Sequence, residues 1–261
     1  MQTVDKALSI LNLFSETRTA IGLSELARLA GFNKATTRRF LVALEKHGFV
    51  EQESTTRAYR LGPGLLRLAR VREASIPVAA IVQPVLERLV ARTGETAHFS
   101  LYAAGSLATI GLVESARSNR VMLGKGEAIP LHATASGIAY LAFARPATVD
   151  SALGKVLTAF TAHTVTDAGD IRQRLAAVRK QGVAVVKNAY EEGVCGIASP
   201  VFDDDGFACG AVAIAAPATR AQRDVIASVQ PLIRRAANEI TLAMGARPHP
   251  DLLRSNGAVA A

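Results

Sequence analysis

The chain has 261 residues, 49% of them hydrophobic and 20% charged, a globular balance that excludes a largely disordered protein. That length allows two domains, one of them large enough to bury a substantial core. A formal net charge of +8 and a pI near 9.9 favour an anionic partner, nucleic acid or a membrane surface, without choosing between them.

The distribution of charge is more informative than its total. Through Glu73 there are twelve Lys and Arg against seven Asp and Glu, a balance of +5 out of the +8. Most of the excess therefore sits in less than a third of the chain. Only two cysteines occur, Cys195 and Cys209, and nothing ahead of Val4 resembles a signal peptide. No apolar run reaches the roughly 18 residues of a membrane span. These features predict a cytoplasmic protein of a reducing compartment with no membrane partner.

In chain order, Val4, Ala7, Leu8, Leu11 and Phe14 share one helical face. Leu23 to Ala30 repeats the pattern and stops at Gly31, a helix C-terminal signal. Asn33 is placed to cap a third helix in which Thr37, Phe40, Leu41 and Leu44 face the first two. Its opposite side presents Lys34, Ala35, Arg38, Arg39 and Val42, with Thr36 at the start. After His47-Gly48, Phe49 to Gln52 and Arg57 to Leu61 read as two strands joined by the polar turn Glu53-Ser54-Thr55-Thr56. Three helices and a hairpin make a winged helix-turn-helix, assigned to residues 1–62.

Gly62-Pro63-Gly64 breaks the pattern, and Leu65 to Glu73 forms a basic amphipathic helix, so 63–76 is read as a linker. A helix follows from Pro77 to about Thr93. The period then changes: 96–102 and 106–114 predict a hairpin turning at Ala104-Gly105. Further strands are expected at 121–123, 183–187, 196–202 and 207–216, with helices at 135–144, 170–181 and 220–246. Strands bracketed by helices predict an α+β domain over 77–246, and the tail 247–261 is expected to be mobile.

Five segments, in order, resemble the IclR family of bacterial transcriptional regulators. They are Gly31 to Leu41, Tyr59 to Gly62, Pro130 to Gly137, Gly193 to Val201 and Ala216 to Arg220. A winged helix alone is weakly specific; the ordered set is not. The resemblance spans nearly the whole chain. It implies a two-domain α/β protein, with a winged helix-turn-helix followed by a GAF-like effector-binding domain. It also implies double-stranded operator DNA of palindromic type as partner, a homodimer or dimer of dimers, a small organic-acid effector, no cofactor and no catalysis.

The expected DNA-binding set is Asn33, Lys34, Thr36, Thr37, Arg38, Arg39 and Arg57. Arginine can pair bidentately with guanine edges, whereas Lys and Thr mostly position a helix on phosphates. The bland alternative is a solvated basic face. For the effector, Thr134-Ala135-Ser136 opens a helix, where unpaired amides and the helix dipole favour an anion. In the family the amides matching Ala135 and Ser136 hold small carboxylates, although Thr134 also serves as an ordinary cap. Cys195, Gly196, His98, Ser100 and Ala213 complete the expected effector set. His98, Ser100 and Tyr102 alternate along one strand and so share a face.

The second half of the family's carboxylate pocket departs from pattern here. Members that bind small oxo-acids carry Asp where this chain has Val186, Cys where it has Gly196, and serines where it has Ala213 and Ala215. Each change removes a polar partner. The expected effector is therefore larger and less polar, such as an aromatic or alicyclic acid.

Competing readings are a redox or protein-interaction module using Cys195, and a small hydrolase using Cys195 or Ser136. The hydrolase lacks a Gly-x-Ser-x-Gly elbow and a phosphate loop. His132 is expected to brace its loop. The Asp203-Asp204-Asp205 run reads as a solvated turn, and no zinc-ligand spacing occurs.

Overall fold

The computed structural model describes residues 3–15, 18–75, 77–124, 128–250 and 252. The chain divides into two compact units, Met1–Pro77 and Val78–Ala261.

The first unit contains α1 (Thr3–Leu11), α2 (Leu23–Ala30), α3 (Lys34–Lys46), β1 (Val50–Gln52), β2 (Tyr59–Leu61) and α4 (Pro63–Ser75). Alpha2 ends at Gly31, whose φ of 71° turns its N–H back onto the carbonyls of Ala27 and Arg28. Two residues later Asn33 starts α3, its Oδ1 accepting from the Thr36 amide at 2.8 Å. Thr37, Phe40, Leu41 and Leu44 form the buried row of α3. They meet Ile10, Phe14, Leu26 and Val50 in one small core.

The wing strands pair antiparallel, Val50 opposite Leu61 and Gln52 opposite Tyr59. A contact outside the sequence expectation ties the wing to the helices: Ile21 and Tyr59 exchange two backbone hydrogen bonds of 2.9 Å. Alpha4 begins directly after the wing, with the Gly64 amide donating to the Gly48 carbonyl at 2.8 Å. Leu66, Leu68 and Val71 on it are exposed. Of the expected linker 63–76, Ile76 lies outside the described residues.

The second unit is built on six antiparallel strands. They are β3 (Thr96–Ala103), β4 (Ser106–Val113), β5 (Ala128–Ile129), β6 (Ala184–Lys187), β7 (Val194–Phe202) and β8 (Ala208–Pro217), in the order β5-β4-β3-β8-β7-β6. The helices are α5 (Val78–Thr93), α6 (Ala135–Phe143), α7 (Pro146–Leu153), α8 (Ala168–Gln181) and α9 (Arg223–Ala243).

Alternation along the strands sorts side chains into two cores. Ala97, Phe99, Cys195, Ile197, Val201, Val212 and Ile214 pack with α5 and α9. Ala198, Phe202, Ala211 and Ala213 pack with α6 and α8. Every residue of α6 is buried, from Ala135 to Phe143. A helix that is apolar all round belongs in an interior layer, here between sheet and α8.

Three expectations need correction. Residues 121–124 form no strand; Val121 is tied instead by its carbonyl to the Thr96 hydroxyl at 3.0 Å, and the sheet edge is β5, where Ile129 pairs with Leu107. Alpha7 was not anticipated. Part of the tail expected to be mobile is packed: the His249 ring sits 5.0 Å from Phe143 and 5.3 Å from Phe202, and Leu252 is buried against Gly182, while Arg247 and Pro250 are exposed. The Phe143–Phe202 edge gives the tail an aromatic and apolar seat, which overrides its polar, proline-rich composition. Asp251 and residues 253–261 lie outside the described residues.

Leu252 thus makes a core contribution. Leu252→Ala is expected to destabilise the protein by about 2–3 kcal/mol, the lower part of the range for buried leucines. A lowered denaturation midpoint with an unchanged m-value is the signature; no shift would mean the tail does not dock in solution.

Candidate nucleic-acid interface and ligand cavity

Alpha3 shows two unlike faces. The inward face carries the buried row; Asn33, Lys34, Ala35, Arg38, Arg39 and Val42 are exposed and Thr36 is half-buried. Lys34, Arg38 and Arg39 make no ion pair among the described residues, whereas Arg60 on the wing is held by Glu51 at 2.6 Å. Three cations without an ion pair among the described residues thus share the outer face of α3, with others on α4 (Arg67, Arg70) and at Arg18 and Arg57. The Arg39 guanidinium lies 5.8 Å from the Phe40 ring centroid.

Thr37 is placed differently from the expectation. It is fully buried, and its hydroxyl donates to the Asn33 carbonyl at 3.0 Å. Its position in the apolar row decides this, so it braces the helix start and does not reach a groove. Asn33 spends its side chain on the cap, though the residue is exposed. Arg57 closes the wing with a φ of 59°, its amide donating to the Glu53 carbonyl at 3.0 Å and its carbonyl accepting from Gln52 Nε2 at 2.8 Å. The backbone is fixed while the side chain stays exposed at the wing tip.

In the second unit a cavity of about 480 Å³ opens at the N-terminus of α6. Of the expected effector residues, Thr134, Ala135, Ser136, Gly196, His98 and Ala213 line it. Ser100 and Cys195 do not. Ser100 is buried behind the wall, bonded to the Thr109 hydroxyl at 3.2 Å, and it is Thr109 that lines the cavity. Cys195 is fully buried in the opposite core. Adjacent strand side chains point to opposite faces, so the Cys195 side chain points away from the cavity that Gly196 lines. Burial raises the Cys195 thiol above its ordinary pKa, with Lys187 opposing only in part, so it is not a poised thiolate. Cys209 is pushed up to about 11 by burial.

The floor is well defined. The Thr134 hydroxyl accepts from the Gly137 amide at 3.0 Å and donates to the Pro130 carbonyl at 2.8 Å. This cap leaves the Ala135 and Ser136 amides, which have no intrahelical acceptor, to the cavity. Gly196 abuts them: a Cβ there would lie 2.9 Å from the Ala135 Cβ. Val186, Gly196 and Ala215 are direct cross-strand neighbours, so three of the four departures from the oxo-acid pattern form one row, with Ala213 beside it on β8. That wall is apolar.

His98 Nε2 lies 3.1 Å from the Ser136 hydroxyl, and its Nδ1 is buried without a partner among the described residues. Burial lowers its pKa from 6.5 to about 4, so the ring is neutral at pH 7.

The mouth comes from segments with no sequence signal. Phe160 and Tyr190 meet edge to face at 5.0 Å, and Met122 and Leu123 flank the opening. The Thr161 hydroxyl holds the Phe160 loop by donating to the Asn188 carbonyl at 2.6 Å. His132 braces the same loop, its Nε2 lying 2.9 Å from the Thr158 carbonyl. Behind the site, buried Glu95 accepts from Arg220 at 2.7 and 2.8 Å and from Arg117, tying β3 to the Pro217 turn. Arg145 pairs with Asp203 and Asp205, which gives the acidic turn its counterion.

The lowered pKa of His98 carries a stability consequence. Between pH 6.5 and about 4 the unfolded chain takes up a proton that the folded one refuses, so stability falls as pH drops through that window. The full loss is on the order of 3 kcal/mol. His98→Gln should remove that contribution, seen as a smaller change in urea midpoint from pH 7 to pH 4.5 than in the parent; parallel pH profiles would contradict it.

Two family models cover the chain: the IclR helix-turn-helix domain over residues 3–54 and the bacterial transcriptional regulator IclR C-terminal domain over residues 73–242. The HTH-type transcriptional regulator XynR of Escherichia coli K12 is 28% identical over 246 residues, covering 94% of this chain and 98% of that one. The crystal structure of an IclR-type transcriptional regulator from Silicibacter sp. TM1040 is 42% identical, with a TM-score of 0.88 over 96% of this chain and 99% of that one. An IclR homolog from Microbacterium hydrocarbonoxydans, solved with 4-hydroxybenzoate, is 22% identical with a TM-score of 0.57 over 94% of this chain and 99% of that one; it shows the fold alone. These relatives are transcriptional regulators, and no helix among the described residues is long and apolar enough to cross a membrane. A helix-turn-helix unit whose third helix turns unpaired cations outward, joined in sequence to an α+β domain with a cavity at a helix start, fits both models: the chain belongs to the IclR family of bacterial transcriptional regulators.

Proposed function

We propose that this regulator reads operator DNA with the exposed face of α3 and is controlled by a small organic acid with an apolar, aromatic or alicyclic body. The carrying observation is the cavity at α6: two free amides at a helix start on its floor, and an apolar wall of Val186, Gly196, Ala213 and Ala215 above them. Amides and helix dipole supply the anion site without a cation. A two- or three-carbon acid would leave most of about 480 Å³ unfilled.

Lys34, Thr36, Arg38, Arg39 and Arg57 are the residues that this reading sends to DNA. Arg38 and Arg39 suit base edges, while Lys34, Thr36 and Arg57 suit phosphates or the minor groove. Two copies, meeting through the exposed apolar residues of α4 and of α1 (Val4, Leu8), would set two reading helices on the halves of a palindromic site. Effector binding alters DNA affinity only if the acid binds the DNA-competent arrangement with a different affinity.

Calorimetry tests the cavity. Monocyclic acids such as benzoate or cyclohexanecarboxylate should bind and change operator affinity, and Gly196→Ala should weaken them by crowding Ala135. Tight glyoxylate binding with no response to cyclic acids would overturn the reading.

The DNA face has its own test. Arg38→Ala should weaken operator binding by about 1–3 kcal/mol and relax preference at one base pair, while Lys34→Ala should weaken all sequences alike and reduce the salt slope by about 1. Unchanged affinity in both variants would remove α3 from the interface.

A further inference from the structure

We propose that Glu191 reads the far end of the effector, admitting acids whose distal group donates a hydrogen bond and rejecting a second anionic group. The inference rests on the preceding reading of the cavity as an acid site and extends it to the chemistry of the ligand's other end.

Four observations carry it. Glu191 lines the cavity, is exposed, and makes no ion pair or side-chain hydrogen bond among the described residues. No Lys or Arg lines the cavity among those residues, so Glu191 is the charged group a ligand there meets. The lining histidine, His98, is neutral and offers no counter-charge to a second carboxylate. The remaining observation is position. The floor residues Ala135 and Ser136 are 4% and 2% exposed, whereas Tyr190 and Phe160 beside Glu191 are 36% and 41% exposed. The floor and the mouth are therefore distinct ends.

The strands set the scale between those ends. Gly196 touches Ala135, and Val194 lies two residues back on β7, roughly 7 Å at ordinary strand rise. The Val194 amide then bonds back to the Glu191 carbonyl at 3.4 Å. A turn carrying Asn188 at a φ of 58°, its side chain accepting from the Gly193 amide at 3.0 Å, fixes Glu191 at the rim. That span matches a monocyclic acid lying with its carboxylate on α6 and its opposite ring position at Glu191. A hydroxyl or amine there donates to the carboxylate, a charge-assisted bond. A carboxylate there meets a like charge with no cation among the described lining residues to offset it.

The experiment titrates full-length protein with benzoate, 4-hydroxybenzoate and terephthalate by calorimetry, in the parent, Glu191→Gln and Glu191→Lys. The parent should bind 4-hydroxybenzoate most tightly and terephthalate at least about tenfold more weakly, with the gap narrowing at high salt. Glu191→Gln should close most of that gap, and Glu191→Lys should reverse the order. Glu191 is exposed, so the melting temperatures of the unliganded variants should match the parent. Binding of the three acids in one unchanged order across the three proteins overturns the inference and leaves the acid cavity standing. Failure of all three to bind any of the proteins overturns the acid cavity, and this inference with it.

Discussion

The approach of β7 to the first residue of α6 is the contact on which the cavity depends. Gly196 brings strand backbone against Ala135, and in this packing a Cβ at 196 would lie 2.9 Å from the Ala135 Cβ, so a side chain there requires α6 or the strand to shift. Because α6 is buried along its whole length, such a displacement would not stay local; it would propagate into the core shared with α8. The helix is thus held by packing on all sides. Its first-turn amides have no intrahelical acceptor and are presented to a space that water or a ligand can fill. The anion site of the proposed reading would be a by-product of how a fully apolar helix must begin.

The two units handle charge in opposite ways. On α3, Lys34, Arg38 and Arg39 stand free of acidic partners among the described residues, which leaves their charge available to the DNA of the proposed reading. Around the cavity, cations are kept away from the floor. Arg117 and Arg220 are consumed by Glu95, Arg145 by the acidic turn, and Lys187 donates to the Ala221 carbonyl at 2.7 Å. A floor without a formal positive charge binds a monoanion weakly by Coulomb attraction and must gain the rest from shape and burial. Under the proposed reading, weak anchoring and strong dependence on the ligand body would keep common cellular acids from triggering the regulator.

What the sequence made legible follows from periodicity. The inward row of α3, the Asn33 cap, the Gly31 stop and the hairpin at Ala104-Gly105 are local rules, and the structure obeys them. Alternation also placed His98, Ser100 and Tyr102 on one face, and Tyr102 indeed stacks on Tyr140 of α6 at 4.6 Å. The same rule was legible for Cys195 and Gly196, and applying it there would have excluded the thiol. Alpha7 had its signals as well, Pro146 at its start and Gly154 after its end. Other features had none. Phe160, Tyr190 and Glu191 come from irregular segments whose meeting depends on tertiary contacts alone, and the seat of His249 exists only once Phe143 and Phe202 are assembled.

The departures from the oxo-acid pattern gain meaning from their pairing. Val186, Gly196 and Ala215 are far apart in sequence, yet they are consecutive rungs of one cross-strand row, with Ala213 two residues along β8. Restoring a single polar group in that row would place a hydrogen-bonding atom in an apolar wall with no partner, at a cost of about 1–3 kcal/mol. Restoring several together would let them satisfy one another around a small acid. The two kinds of cavity are therefore separated by intermediates that serve neither ligand well. If the wall selects the effector as proposed, the cost of partial reversal ties effector class to the whole row and not to any one residue in it.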